Sequence, residues 1–383
     1  MNYLSLVLAA LAAVAVAYLL SRPRKAAAKA APTPRPPSAA HPSTAGRTAS
    51  STTAPQPDPH PLVRTESPQF EALLGSFHRA LGAELPLRDA EEIGSLLARI
   101  PRPPSALHKL VSPQFLADAS TAELSTMVMA EPQVAAKVLA VVNSPLYGLK
   151  SPLGSIGQAV TFLGLNTVRG ICLQYLLDAS FRSDDPEVRK IFAELWNASA
   201  LASELCFKLA QLLELPQPGA LVTQVVLSFL GRAASHSLLP QNVVLPMMHK
   251  GLLERSRVEQ DALGLCASEL GSLLMQQWQL PPSIVTQVRT IDLVLLTPVE
   301  AAPRESAVAM ALCYFCARVG EKLAQGEMED LATFQLEQEH SAEFYYLQGY
   351  LRQPALARLH EFVRLPEVLS SVNTMVQAMR LRG

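Results

Sequence analysis

The sequence predicts an all-α protein, on three observations. From Ser67 onward, apolar residues recur at the i, i+3, i+4, i+7 spacing of a helix face almost without interruption. Helix-start signals precede those segments: Ser or Asp with a Glu three residues on, and Pro in a first turn. Strand signals are weak. Val222–Leu230 is β-branched, but no alternating partner or hairpin turn flanks it, so it reads as a buried helix.

Each element follows in chain order. Phe70, Leu73, Leu74, Phe77 and Leu81 line one face of a first helix. Asp89 with Glu92 makes a capping-box-like start for a second, with Ile93, Leu96, Leu97 and Ile100 inward and Pro101, Pro103 and Pro104 stopping it. Ser120 with Glu123 starts a short helix, and Pro132 suits the first turn of the next, 132–142. Pro145 disfavours a helical Ser144, so Asn143-Ser144-Pro145 ends that helix, with Asn143 left-handed or bonding its own turn. Gly148 and Gly164 fit tight turns or helix C-caps. Further helices are expected over 156–163, 166–180, 186–213, 258–278, 282–291, 306–325 and 366–382. Arg169, on an otherwise apolar helix, is expected to bond carbonyls or a carboxylate. No fixed internal period shows, which disfavours a solenoid.

The first 65 of the 383 residues read differently. Residues 1–21 carry no charged side chain and are almost entirely Leu, Ala and Val from Tyr3 to Leu20. Such a run spans roughly 27 Å as a helix, close to the hydrocarbon thickness of a bilayer. Arg22, Arg24, Lys25 and Lys29 follow it and no basic residue precedes it. That order suits an anchor with its N-terminus outside and the remainder in the cytoplasm; a cleaved signal peptide is the alternative, with Ala15-Val16-Ala17 a passable cleavage sequence. Residues 21–65 hold 10 Pro, 10 Ala and 11 Ser or Thr, and read as a disordered, semi-stiff tether. Its 7 basic and 1 acidic side chains suit an anionic leaflet, while the remainder carries about −7, which disfavours nucleic acid as a partner.

Cys172, Cys206, Cys266, Cys313 and Cys316 are scattered through apolar helical contexts and do not form a disulfide framework. Cys313 and Cys316 have redox or metal spacing, but no second pair or nearby His completes a site, so they read as core. His236 and His249 lie on a less regular Pro- and Leu-rich stretch with no acidic residue at ligand spacing. The segment 326–364 is rich in Glu and Gln around Phe344, Tyr345 and Tyr346; it fits either an extension packed on the domain or a partner surface.

The most informative run is Ile100 to Phe181, containing IPRPPSALHKL and then STAELSTMVMAEPQVAAKVLAVVNSPLYGLKSPLGSIGQAVTFLGLNTVRGICL. It resembles the HDOD family, the HD-related output domains of bacterial signalling proteins. The residues that carry the resemblance are Glu131-Pro132, Asn143-Ser144, Tyr147-Gly148, Ile156, Ala159-Val160, Leu163-Gly164 and Val168-Arg169. The simplest role for them is to fix helix packing; a ligand or interaction site is the alternative. The resemblance implies this organisation: anchor 1–21, linker 22–65, N-terminal helical extension 66–100, HDOD domain 101–325 and C-terminal helical extension 326–383.

HDOD domains are similar to HD phosphohydrolases, whose His and Asp ligands hold divalent metals that activate water. The resemblance places Asn197, after Trp196, where that superfamily has a His, and Ser228-Phe229 where it has His-Asp. Ahead of Glu269 the expected acidic-His pair is absent, and Val288-Arg289-Thr290-Ile291 replaces later histidines. A phenyl ring cannot ligate a metal. The expectation is therefore a non-enzyme with no metal or cofactor, acting in signal transduction or as a scaffold through other signalling proteins at the inner membrane. Two alternatives stand: a divergent phosphohydrolase, which would carry bound metal, and a helix-turn-helix-like DNA binder over 159–172. The second has only Arg169 to meet phosphates.

Overall fold

The computed structural model describes residues 67–380. The expected anchor at 1–21 and the tether at 22–65 lie outside the described residues, as do residues 381 and 382 of the expected C-terminal helix. Among the described residues every regular element is helical, and no single helix is long and apolar enough to cross a membrane.

The helices are α1 Pro68–Gly75, α2 Leu87–Leu97, α3 Ala106–Leu110, α4 Pro113–Asp118, α5 Thr121–Ala130, α6 Pro132–Val142, α7 Ile156–Leu163, α8 Leu165–Asp178, α9 Pro186–Leu212 and α10 Pro218–Ser228. They continue as α11 Leu230–Leu238, α12 Gln241–Met248, α13 Leu252–Leu263, α14 Ala267–Gln277, α15 Pro282–Ile291, α16 Ala307–Ala324, α17 Ala342–Tyr345, α18 Leu347–Leu351, α19 Leu359–Phe362 and α20 Pro366–Arg380.

The centre is the pairing of α9 with α16. Asp185 starts α9, its Oδ1 accepting from the backbone N–H groups of Glu187 (2.8 Å) and Val188 (3.4 Å), with Pro186 in the first turn. Along α16, every residue from Met310 to Glu321 is buried, as expected of a helix apolar on all sides. Each large side chain among them, such as Phe315, contributes about 2 kcal/mol by leaving water. The two helices approach closely at Gly320, where a Cβ would lie 2.6 Å from the Ala198 carbonyl oxygen and 2.8 Å from the Ala202 Cβ. Helix α10 packs on both, α5 to α8 build one flank, α11, α14 and α15 build another, and α20 lies along α9.

Several expectations hold closely. α6, α7 and α15 run over the residues read from sequence, Val222–Leu230 is buried helix in α10 and its exit, and Ser120 Oγ accepts the Glu123 N–H at 3.1 Å. The cysteines are all buried and free, and the thiol of Cys206 on α9 meets those of Cys313 and Cys316 in the core. Segment 326–364 packs on the domain: Phe344 is fully buried, its ring 6.0 Å from that of Phe334, and Tyr314 Oη donates to the Glu343 carbonyl at 3.0 Å.

Others are corrected. The first helix stops at Gly75, and Phe77 and Leu81 lie beyond it. The Gln260 amide explains this: it accepts from Ala80 N–H at 2.8 Å and donates to the His78 carbonyl at 2.9 Å, taking backbone groups a longer helix would use. Asp89 does not cap α2, which starts at Leu87 after Pro86 because the proline sets the first turn; Asp89 sits inside that turn. The expected single helix 258–278 is two, α13 and α14. Gly264 turns left-handed (φ 75°), and Glu259 accepts the Ala267 N–H at 2.8 Å at the start of α14. His236 lies within regular α11 and is buried, rather than on an irregular stretch.

Candidate functional site

A cleft of about 770 Å³ opens between α6, the turn after it, α8, α9 and α20. Its aromatic wall comes from Tyr175, Phe181, Phe192 and Trp196. Phe181 anchors this wall, its ring centroid 5.7 Å from Phe192 and 6.0 Å from Trp196. Met375, Ala378 and Met379 of α20 close one side, and Ser371 Oγ ties that helix to α9 by donating to Glu204 Oε1 at 2.5 Å.

Polar groups are spread among these surfaces. Tyr175 Oη donates to Gln133 Oε1 at 3.1 Å and accepts from Arg182 Nη2 at 3.4 Å. Gln174 Nε2 donates to the Trp196 carbonyl, while the buried Trp196 Nε1–H has no partner. Burial pushes the Tyr147 hydroxyl up to about 12, with Glu204 adding in the same direction. Burial also raises the Asp178 carboxyl, against the lowering pull of Lys137 and Arg182. The cleft is thus apolar at its base and mixed in charge at its rim, the pattern of a binding site.

Of the positions singled out from sequence, Ser144, Tyr147 and Asn197 meet in this cleft; the others do not line it. Asn143 is not left-handed (φ −86°). Its Nδ2 donates to the Leu153 carbonyl at 2.9 Å and its Oδ1 accepts the Leu153 N–H at 2.7 Å, closing the 143–153 loop that presents Tyr147. Gly148 (φ 55°) and Gly164 (φ 84°) hold the backbone turns expected of them, and at Gly164 the chain bends 116° between α7 and α8. Arg169 is buried beneath the cleft and donates to the Gly219 carbonyl, fixing α8 to the start of α10; burial pulls it down to about 10.

Ser228 and Phe229 end α10. Ser228 Oγ donates to the Val225 carbonyl at 2.7 Å, and Phe229 is buried. Glu269 is committed elsewhere: Arg289 Nε and Nη2 donate to Oε1 and Oε2 at 2.8 and 2.9 Å, Arg79 Nη2 lies 3.2 Å from Oε1, and Gly82 N–H donates to Oε2 at 3.1 Å.

These features define an all-helical fold with a cleft between α6, α8, α9 and α20. The HDOD domain model matches residues 100–292, just over half of the chain. The chain belongs to the HDOD family. Solved structures share the fold. An HDOD domain protein of unknown function from Geobacter sulfurreducens is 18% identical with a TM-score of 0.53, over 76% of this chain and 97% of its own. A candidate phosphohydrolase from Shewanella amazonensis is 17% identical with a TM-score of 0.52, over 75% and 97%. No curated protein matches the chain.

The residues present do not fit the metal set that the resemblance to phosphohydrolases implies. The matched positions hold an amide, a hydroxyl spent on a carbonyl and a buried phenyl ring, and the nearby Glu269 is saturated by two arginines. Among the described residues no group of three His, Cys, Asp or Glu side chains comes together to hold an ion.

Sequence reasoning missed two parts of the molecule. It did not place α20 as a wall of the cleft, for which Met375 and Met379, one turn apart, were the only signal. It also missed a buried charge cluster around Glu321, signalled by Arg318 and Glu321 standing three apart in an apolar helix.

Proposed function

We propose that this chain is a non-catalytic signal-transduction or scaffold protein that works by binding in the cleft between α8, α9 and α20. The observation that carries this reading is the pairing of an aromatic-walled cleft with amide, hydroxyl and phenyl groups where a metal would need imidazoles and carboxylates. The occupant is a segment of another signalling protein or a small ligand, held against Trp196 and Tyr175. Residues 1–21 hold the domain at the cytoplasmic face of the membrane, and the tether raises its local concentration around membrane-bound partners. Neither the acidic domain nor its lone Arg169 in the helix-turn-helix-like segment favours nucleic acid.

The test compares the full-length chain with Ala200→Trp, which fills the cleft from α9, after crosslinking in cells and membrane isolation. A defined partner that co-purifies with the parent and not with the variant supports the reading. Stoichiometric Mn, Fe or Zn by elemental analysis, together with phosphoesterase activity, would overturn it.

A further inference from the structure

Among residues that do not line the cleft, three arginines from three helices converge on one carboxylate. Arg232 on α11, Arg255 on α13 and Arg318 on α16 are each less than 7% exposed, and Glu321 is 4% exposed. Arg232 Nη1 donates to Glu321 Oε1, Arg318 Nη2 to Oε1 at 3.0 Å, and Arg255 Nη2 to Oε2 at 2.8 Å. Among the described residues no other carboxylate forms an ion pair with these guanidinium groups. Glu194, Glu259, Asp292 and Glu343 act on them from further away. Glu259 is occupied by the Ala267 N–H and Glu343 by the Leu252 N–H.

In direct ion pairs three guanidinium groups therefore share one carboxylate, with the buried Glu259 a second negative charge nearby. The Nε–H groups of all three arginines are buried without a hydrogen-bond partner, while Nη1 of Arg318 lies 2.8 Å from Glu321 Oε2. A buried cation without a counter-ion is costly, and a guanidinium fork suits bidentate oxyanions. Burial, then repulsion among the three, pulls Arg232 and Arg255 down from the ordinary arginine range.

A cavity of about 390 Å³ reaches this cluster from the surface. Arg255, Arg318 and Glu321 line it, with His249, Lys250 and Arg257 also on its wall. Glu254, Glu327 and Glu343 line it too, and Lys322 lies 3.7 Å from Glu327. The walls thus present one more cationic than anionic side chain, and the buried guanidinium groups of the cluster outnumber its buried carboxylates, Glu321 and Glu259, by one, a balance that favours an oxyanion.

We propose that this cavity is a binding site for a phosphate-class oxyanion, seated on the guanidinium groups of Arg255 and Arg318. The site is separate from the aromatic cleft, so its fate and that of the proposed partner site are independent.

The test is calorimetric titration of the full-length chain with inorganic phosphate and, separately, glycerol phosphate, at constant ionic strength set by chloride. One saturable site is expected, weakened about tenfold or more by Arg318→Gln. Lys250→Glu, a surface change that leaves the buried cluster intact, is expected to weaken binding several-fold and covers the case in which Arg318→Gln does not fold. Tighter binding of glycerol phosphate assigns a small phosphorylated metabolite, and equal or tighter binding of inorganic phosphate assigns the free ion. Absence of saturable binding overturns the proposal. So does binding that survives Lys250→Glu and, where it folds, Arg318→Gln unchanged.

Discussion

Arg289 and Glu269 face one another as a two-pronged pair, Nε to Oε1 at 2.8 Å and Nη2 to Oε2 at 2.9 Å. Arg289 stands in the string where the family resemblance places later histidines, and Glu269 follows the position where it places an acidic-His pair. The pair joins α14 to α15 and, through Arg79 and Gly82, holds the segment before α2 against the domain. Both charged groups are engaged in contacts between packed elements.

Removal of the Glu269 carboxylate leaves Arg79 nearly buried without its counter-ion. Glu269→Ala is expected to lower the unfolding free energy by about 3 kcal/mol, read from the denaturant midpoint. Arg289→Ala is expected to cost less, since that side chain is 36% exposed. An equal or larger loss for Arg289→Ala would contradict this ordering.

At the α9–α16 crossing two effects oppose each other. Alanine is favoured over glycine inside a helix by about 1 kcal/mol. A Cβ at Gly320, however, would meet the Ala198 carbonyl oxygen at 2.6 Å, and overpacking of this kind costs about 1–3 kcal/mol or more. Gly320→Ala is expected to destabilise, and a higher melting temperature for that variant would show that the helices can part without penalty.

His236 carries a pH dependence. Burial holds its imidazole neutral, well below the ordinary histidine range, with Arg232 and Arg255 adding to the shift. The unfolded chain takes up a proton near pH 6.5 and the folded chain does not. The stabilising effect is complete above that pH and is lost as pH falls through it, at about 1.4 kcal/mol per unit. Glu259, whose carboxyl is raised by burial, works in the opposite sense. The difference between parent and His236→Leu therefore isolates the histidine: unfolding curves at pH 7.5 and 5.5 should show a smaller acid loss in the variant.

The loop that presents Tyr147 depends on one amide. Asn143→Ala removes both bonds to the Leu153 backbone and is expected to cost about 1–2 kcal/mol. Amide exchange should rise first across 144–154, within the same variant, with α9 and α16 protected as before. Uniform exchange across the whole domain would contradict a local role.

Much of the fold was legible because it is local. Pro132 and Ser120 set helix starts through their own neighbours, and Gly148 and Gly164 set turns through their own φ angles. The expectation that metal ligands are replaced at 197, 228 and 229 rests on the family motif alone. The first helix failed because Gln260, about 180 residues away in sequence, takes the backbone of His78 and Ala80. The long helix 258–278 failed because the Gly264 turn breaks it and Glu259 caps the start of α14.

By itself, then, the sequence determined the helical class and the family. Those properties reside in residue types and short spacings. Only the tertiary structure decided that α20 walls the cleft, that Arg289 answers Glu269, and that Arg232, Arg255 and Arg318 share Glu321. The physical reason is that burial makes an unpaired charge or an open backbone group costly, and the partner that relieves that cost is chosen by packing in space, across separations that no local pattern spans.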